Sequence, residues 1–185
     1  MCWCGYPLRA YGAQMSDERR TLILLRHAKS DYPNGVADHD RPLAPRGQRE
    51  AVLAGDWLRS DAQLDPPVEA VLCSTATRTR ETLARAGICA TTQYLEQLYG
   101  ATPGGVLAEI NTVDPDVHTL LVVGHEPAMS QLALGLAGSS GTNITAAEHI
   151  SAKYPTSAMA VLRVGVPWRD VEPGSAALVT FYVPR

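Results

Sequence analysis

Three short apolar runs in this chain each end in polar residues suited to holding an anion. Leu22-Ile23-Leu24-Leu25 runs into Arg26-His27. Val68-Glu69-Ala70-Val71-Leu72-Cys73 runs into Ser74-Thr75-Ala76-Thr77-Arg78. Thr119-Leu120-Leu121-Val122-Val123 runs into Gly124-His125-Glu126-Pro127. A guanidinium pairs with phosphoryl oxygens through two parallel hydrogen bonds. A neutral imidazole can attack phosphorus, and a second can donate to a phosphoryl oxygen. Arg26, His27, Arg78 and His125 together therefore suit phosphoryl transfer. Cationic side chains can neutralise the charge that a metal handles elsewhere, so this chemistry requires neither metal nor cofactor. Alone, each residue has a plainer reading as a core histidine or a surface arginine. Arg78 adds an independent point: it falls in the first turn of an expected helix, where the macrodipole disfavours a cation and a bound anion reverses that cost.

These residues can meet only if the runs are parallel strands of one sheet. Their carboxyl ends then share an edge, which is where open α/β sheets bind ligands. The pattern supports this. Strands are expected at 21–25, 68–73 and 119–123, with an extended piece within 88–95. Helices are expected near 45–59, 76–86 and 103–112, and from about Pro127 to just before Gly138. Ala158 to Val166 and Ala176 to Val183 read as a hairpin-like pair, while 138–155 is polar and turn-rich. The long polar segment 28–43 reads as a functional loop. The expected fold is a single three-layer α/β domain over 21–185, with a mostly parallel central sheet flanked by helices and one antiparallel edge strand. Residues 1–20 read as a flexible tail. Met15 precedes its polar end and is a candidate initiator, which leaves open whether residues 1–14 belong to the native protein.

Composition narrows the class. The chain has 185 residues, 45% hydrophobic and 19% charged, with a formal net charge of −3. That suits an ordinary globular domain and argues against broad nucleic-acid binding, which leaves a basic stripe. No apolar run approaches the roughly 18 residues of a membrane span, and the start lacks a signal-peptide pattern. A cytoplasmic location is expected. Cys2, Cys4, Cys73 and Cys89 form neither a disulfide framework nor a zinc half-site, and Cys73 reads as a small buried residue.

Leu25-Arg26-His27-Ala28-Lys29-Ser30 resembles the opening motif of the histidine phosphatase superfamily, which includes the phosphoglycerate mutases. The Ala-Lys-Ser ending, Asp38-His39-Asp40-Arg41-Pro42-Leu43 and Arg46-Gly47 resemble its small SixA-type phosphohistidine phosphatase branch. Cys73 to Thr82 resembles the branch's second motif, and Gly124-His125-Glu126-Pro127 its third. Three motifs in order are far more specific than one. The resemblance implies that His27 is the nucleophile and becomes phosphorylated. It implies that Arg26 and Arg78 bind phosphoryl oxygens and that His125 stabilises the transition state. Ser74 stands at the family serine, and Lys29 is a weaker phosphate-binding candidate. Thr75 replaces a proline common among relatives, Thr79 replaces an alanine, and Ala44 replaces a helix-capping Thr or Ser.

Mutase-like relatives place a glutamate over the site. Here Glu96, Glu126, Asp31, Asp38 and Asp40 all remain candidates for the general acid. A site without a secure acid suits phosphohistidine, whose imidazole leaves more readily than an alkoxide. The expected substrate is thus a phosphohistidine-bearing protein, with inorganic phosphate as product. The alternatives are a phosphatase of small phosphate esters, favoured by a carboxylate over His27 or a lid from 138–155, and a non-catalytic phosphate-binding module. His39, His118 and His149 read as surface or structural, and Asp38-His39-Asp40 as a solvated loop rather than a metal site.

Overall fold

A computed structural model describes residues 19–60, 67–138 and 140–185. Most of the expected tail, including Cys2, Cys4 and Met15, lies outside the described residues. Strand β1 spans Arg20–Arg26 and so begins one residue earlier than its apolar pattern suggests, with Arg20 buried.

The remaining elements follow in chain order. Helix α1 is Pro45–Ser60, β2 is Ala70–Ser74 and α2 is Thr77–Ala86. Strand β3 is Thr91–Leu95, α3 is Pro103–Ile110, β4 is Thr119–Gly124 and α4 is Ala128–Leu136. Helix α5 is Ile144–Ala152, β5 is Met159–Val164 and β6 is Ala176–Tyr182. The sheet order is β3-β2-β4-β1-β5-β6. Pairings among β3, β2, β4 and β1 are parallel, and β1–β5 and β5–β6 are antiparallel. The antiparallel strand β5 therefore lies one place in from the β6 edge.

Leu22, Ile23, Leu24 and Leu25 are all fully buried, because helices cover both faces of β1. Leu22 and Leu24 pack with Leu120 and Val122 against α3, α4 and α5. Ile23 and Leu25 pack with Leu121 and Val123 against Ala54 and Leu58 of α1 and Leu83 of α2. This period-two division makes a three-layer domain. Burying each such Leu or Ile contributes roughly 2 kcal/mol.

Residues 138–155 depart from expectation. Much of this polar stretch is helix α5, capped by the Asn143 side chain accepting from the Ala146 amide at 3.1 Å. Only Ala146 and Ile150 of its residues are buried, which is why the apolar period is faint. The helix packs against α4 and β6. No helix among the described residues is long and apolar enough to cross a membrane.

Candidate active site

Parallel pairing aligns Arg26 with Gly124, and Cys73 with Val123, so the three polar junctions emerge together at the carboxyl ends of β1, β2 and β4. The His27 amide continues this alignment by donating to Gly124 O at 3.0 Å. Backbone packing then fixes the turn that follows. The Ala28 amide donates to Thr82 Oγ1 of α2 at 2.9 Å, and the Ala44 amide donates to Lys29 O at 2.9 Å. Helix α1 comes so close here that a Cβ on Gly47 would lie 2.1 Å from Lys29 O. Glycine at 47 is therefore a packing requirement of the loop that carries His27. On the other side, the Ser157 amide lies 3.1 Å from Arg26 O and 3.2 Å from His27 O, with Ser157 in the left-handed region at φ 62°.

His27 and His125 are buried with ring centroids 5.1 Å apart and ring planes at 58°. His27 Nδ1 lies 2.8 Å from Ala28 O. A carbonyl only accepts, so Nδ1 carries the proton and Nε2 the lone pair. Burial, reinforced by the charges of Arg78 and Arg26, pushes the His27 ring down to about 3. Burial, followed by Arg78, holds His125 at about 4. Both rings are therefore neutral at neutral pH. His125 Nε2 lies 2.9 Å from the Ser74 hydroxyl, which is fully buried at the end of β2. Buried Cys73 beside it is pushed up to about 12 by desolvation, so it remains a thiol that packs and does not react.

The arginines are held from outside. Arg26 donates to Tyr154 O at 2.6 Å, and the Tyr154 hydroxyl donates to Leu24 O at 2.5 Å. Arg78, buried in the first turn of α2, donates to Asp38 O at 2.6 Å and to Asp38 Oδ2 at 3.1 Å. The Tyr99 hydroxyl donates to the same carboxylate oxygen at 2.8 Å, and Arg41 donates to the other at 2.6 Å. Thr79, the departure from alanine, uses its hydroxyl to reach Ser74 O at 2.8 Å and Ala76 O at 2.6 Å. Those bonds tie the start of α2 to the serine that holds His125. Glu81 accepts from the Leu43 amide at 2.6 Å and anchors the end of the long loop.

The five carboxylate candidates separate clearly. Glu126 caps α4, accepting from the Ser130 amide at 3.0 Å and the Ser130 hydroxyl at 2.6 Å. Asp31 is exposed and accepts from the Tyr32 amide at 2.8 Å. Asp40 is exposed and lies 3.3 Å from His39 Nδ1. Asp38 reaches the buried guanidinium, but Tyr99 first, with Arg41 and Arg78, holds its carboxyl at about 2, making it an anion and a poor proton donor. Glu96 lies at the rim and accepts from the Thr75 hydroxyl. Lys29 is exposed, its ammonium 5.4 Å from the Tyr32 ring centroid on the outer loop.

Two residues at the rim stand out only in three dimensions. Tyr99 presents its ring edge-on to His125 at 5.7 Å and to His39 at 4.9 Å. His39, expected as a surface residue, lies 3.1 Å from Thr75 Oγ1 through Nε2. The weak signals were the aromatic immediately before Gly100 and the histidine inside the Asp38–Leu43 motif.

Comparison with known proteins agrees with this architecture. Residues 22–98 match the model of the histidine phosphatase superfamily, branch 1. The uncharacterized Mycobacterium tuberculosis protein Rv1276c is 65% identical over 161 residues, covering 87% of this chain and all of that one. A solved structure of a proposed phosphohistidine phosphatase SixA from Nakamurella multipartitia is 39% identical, covers 90% of this chain and 96% of its own, and superposes with a TM-score of 0.80. A protein of the same designation from Agrobacterium tumefaciens is 26% identical, with 89% and 98% coverage and a TM-score of 0.71. The chain belongs to the histidine phosphatase superfamily, in its SixA-type branch, and is a phosphatase.

Proposed function

We propose that this chain is a cytoplasmic enzyme that hydrolyses phosphohistidine on a protein, through a phosphoryl group carried briefly on His27 Nε2. The observation that carries the reading is the His27 ring itself. Its Nδ1–H is fixed on Ala28 O and its burial keeps it neutral, so the Nε2 lone pair is available without a general base. Arg26, Arg78 and His125 surround it as ligands for phosphoryl oxygens. Two buried polar atoms of this group, Arg26 Nε and His125 Nδ1, have no hydrogen-bond partner among the described residues. Unpaired buried groups of this kind are costly, and anionic oxygens are the acceptors that a guanidinium satisfies best.

The substrate class follows from the leaving group. Of the five candidate carboxylates, Glu126 is taken up by Ser130, Asp31 and Asp40 are exposed, Glu96 lies at the rim, and Asp38, held by Tyr99, Arg41 and Arg78, is an anion. Alkoxide departure needs a strong, well-placed acid, whereas a phosphorylated imidazole has a second ring nitrogen that takes a proton from a far weaker acid and then leaves as a neutral molecule. A lid from the stretch 138–155 would have favoured small esters; Ile144–Ala152 of that stretch instead form α5, packed against α4 and β6. That arrangement suits a protein-borne phosphate. The SixA designation of the Nakamurella protein points the same way.

The test compares wild type with His27→Ala on a phosphohistidine-bearing protein and on an aryl phosphate, with EDTA present. Loss of at least about 10³-fold in the variant, with the phosphoprotein preferred, is expected for removal of a nucleophile. Preference for the ester would indicate a small-molecule phosphatase. Tight phosphate binding without turnover would indicate a binding module.

A further inference from the structure

The Thr75 hydroxyl bridges two titratable side chains at the pocket rim. It donates to Glu96 Oε2 and lies 3.1 Å from His39 Nε2. A hydroxyl has one hydrogen. With it committed to Glu96, His39 Nε2 must be the donor to Thr75. The other ring nitrogen, Nδ1, lies 3.3 Å from Asp40 Oδ1, and a carboxylate only accepts. Both nitrogens of His39 therefore face oxygens that can accept from them, so a proton can be held at either.

This group lies immediately outside the phosphoryl ligands. Asp38, its chain neighbour, holds Arg78 through both its carbonyl and its carboxylate. Thr75 follows Ser74, which holds His125. Tyr99 touches the His39 ring on one side and the His125 ring on the other. Of the two proton carriers in the chain, His39 is the inner one: its side chain is 33% exposed, against 68% for Glu96.

We propose that His39, positioned by Thr75 and Glu96, protonates the leaving imidazole of the substrate. The proposal rests on the phospho-His27 reading and deepens it. A phosphorylated histidine ring carries phosphorus on one nitrogen and a lone pair on the other. Broken in that state, it departs as an imidazolate anion. A proton delivered to the distal nitrogen lets it depart as neutral imidazole. In the first step the His27 Nε2 lone pair forms a bond to phosphorus. The substrate N–P bond breaks, its electron pair stays on the substrate ring, and the distal nitrogen takes the proton of His39. In the second step water attacks phosphorus and gives a proton to neutral His39. The P–Nε2 bond breaks and its pair returns to His27, releasing hydrogen phosphate. The chain of His39, Thr75 and Glu96 thus ends each turnover as it began.

The test uses two substrates that differ in their need for this proton. A phosphohistidine peptide needs it, whereas 4-nitrophenyl phosphate leaves as a stable phenolate. His39→Gln is expected to lower kcat/KM on the peptide by about 10²-fold, with a loss at least tenfold smaller on 4-nitrophenyl phosphate. Thr75→Val, which keeps the side-chain shape, is expected to show the same selectivity with a peptide loss of about tenfold. Urea unfolding reports that each variant is folded, and Thr75→Val decides the matter if His39→Gln is not. Equal losses on both substrates, or no loss on the peptide, overturn the role of His39 and leave the phospho-His27 reading standing. A wild-type enzyme that leaves the phosphohistidine peptide intact overturns both.

Discussion

Lowering the pH from 7 to 5 is expected to destabilise this protein through the two rings at its centre. An ordinary histidine titrates near 6.5, while the folded protein holds His27 at about 3 and His125 at about 4. Between those values the unfolded chain binds protons that the folded chain refuses, so stability falls as pH falls. The contribution is complete above the unfolded value near 6.5, declines below it, and levels off once pH drops past the folded values. At pH 5 the unfolded rings are about 1.5 units below their midpoint, and each unit corresponds to about 1.4 kcal/mol. Each ring therefore removes about 2 kcal/mol, and the pair about 4 kcal/mol. Set against a typical total of roughly 5–15 kcal/mol, that is a large share. Urea unfolding at both pH values, for wild type and for His27→Gln/His125→Gln, isolates the effect. The wild type should lose about 4 kcal/mol more than the double variant over this interval. The other histidines cancel in the comparison. Equal pH dependence in the two proteins would refute the claim that burial keeps these rings neutral.

Two further outcomes follow from the site's supports. Gly47→Ala places a Cβ 2.1 Å from Lys29 O, in backbone that carries His27; a loss of roughly 1–3 kcal/mol in urea unfolding and a lower kcat on phosphohistidine are expected. Ser74→Ala removes the hydroxyl 2.9 Å from His125 Nε2 and leaves that buried atom unpaired; it should cost about 1–3 kcal/mol in stability, and inorganic phosphate should inhibit the variant less strongly.

The parallel core was legible because its strands are buried on both faces. Leu22 to Leu25 and Leu120 to Val123 read as continuous apolar runs, and each delivers its polar residues at the same edge. Arg78 was legible for an electrostatic reason, a cation in the first turn of a helix. Helix α5 was not, because only Ala146 and Ile150 mark its inner face and its Asn143 cap lies in a polar stretch. His39 was hidden differently. A lone histidine in a loop has no periodicity, and its partners Thr75 and Glu96 come from the end of β2 and the residue after β3. Thr75 was visible as a departure from the motif that the chain resembles, but its meaning required the fold.

The same burial that suits His27 to the proposed nucleophilic role should make the protein sensitive to acid. A hydroxyl nucleophile needs a neighbouring base to take its proton. Here burial does that work, since a desolvated ring beside Arg26 and Arg78 cannot hold a second proton. The arrangement is stable only because Ala28 O fixes one nitrogen of His27 and Ser74 accepts or donates at one nitrogen of His125. The charges needed for phosphate are meanwhile kept in place by neutral and anionic oxygens, Tyr154 O on Arg26 and Asp38 on Arg78. Replacing either histidine by a residue that does not titrate should therefore improve resistance to acid while abolishing or weakening turnover. The proposed catalytic pair is thus tolerated by the fold at neutral pH and lowers its stability only in acid.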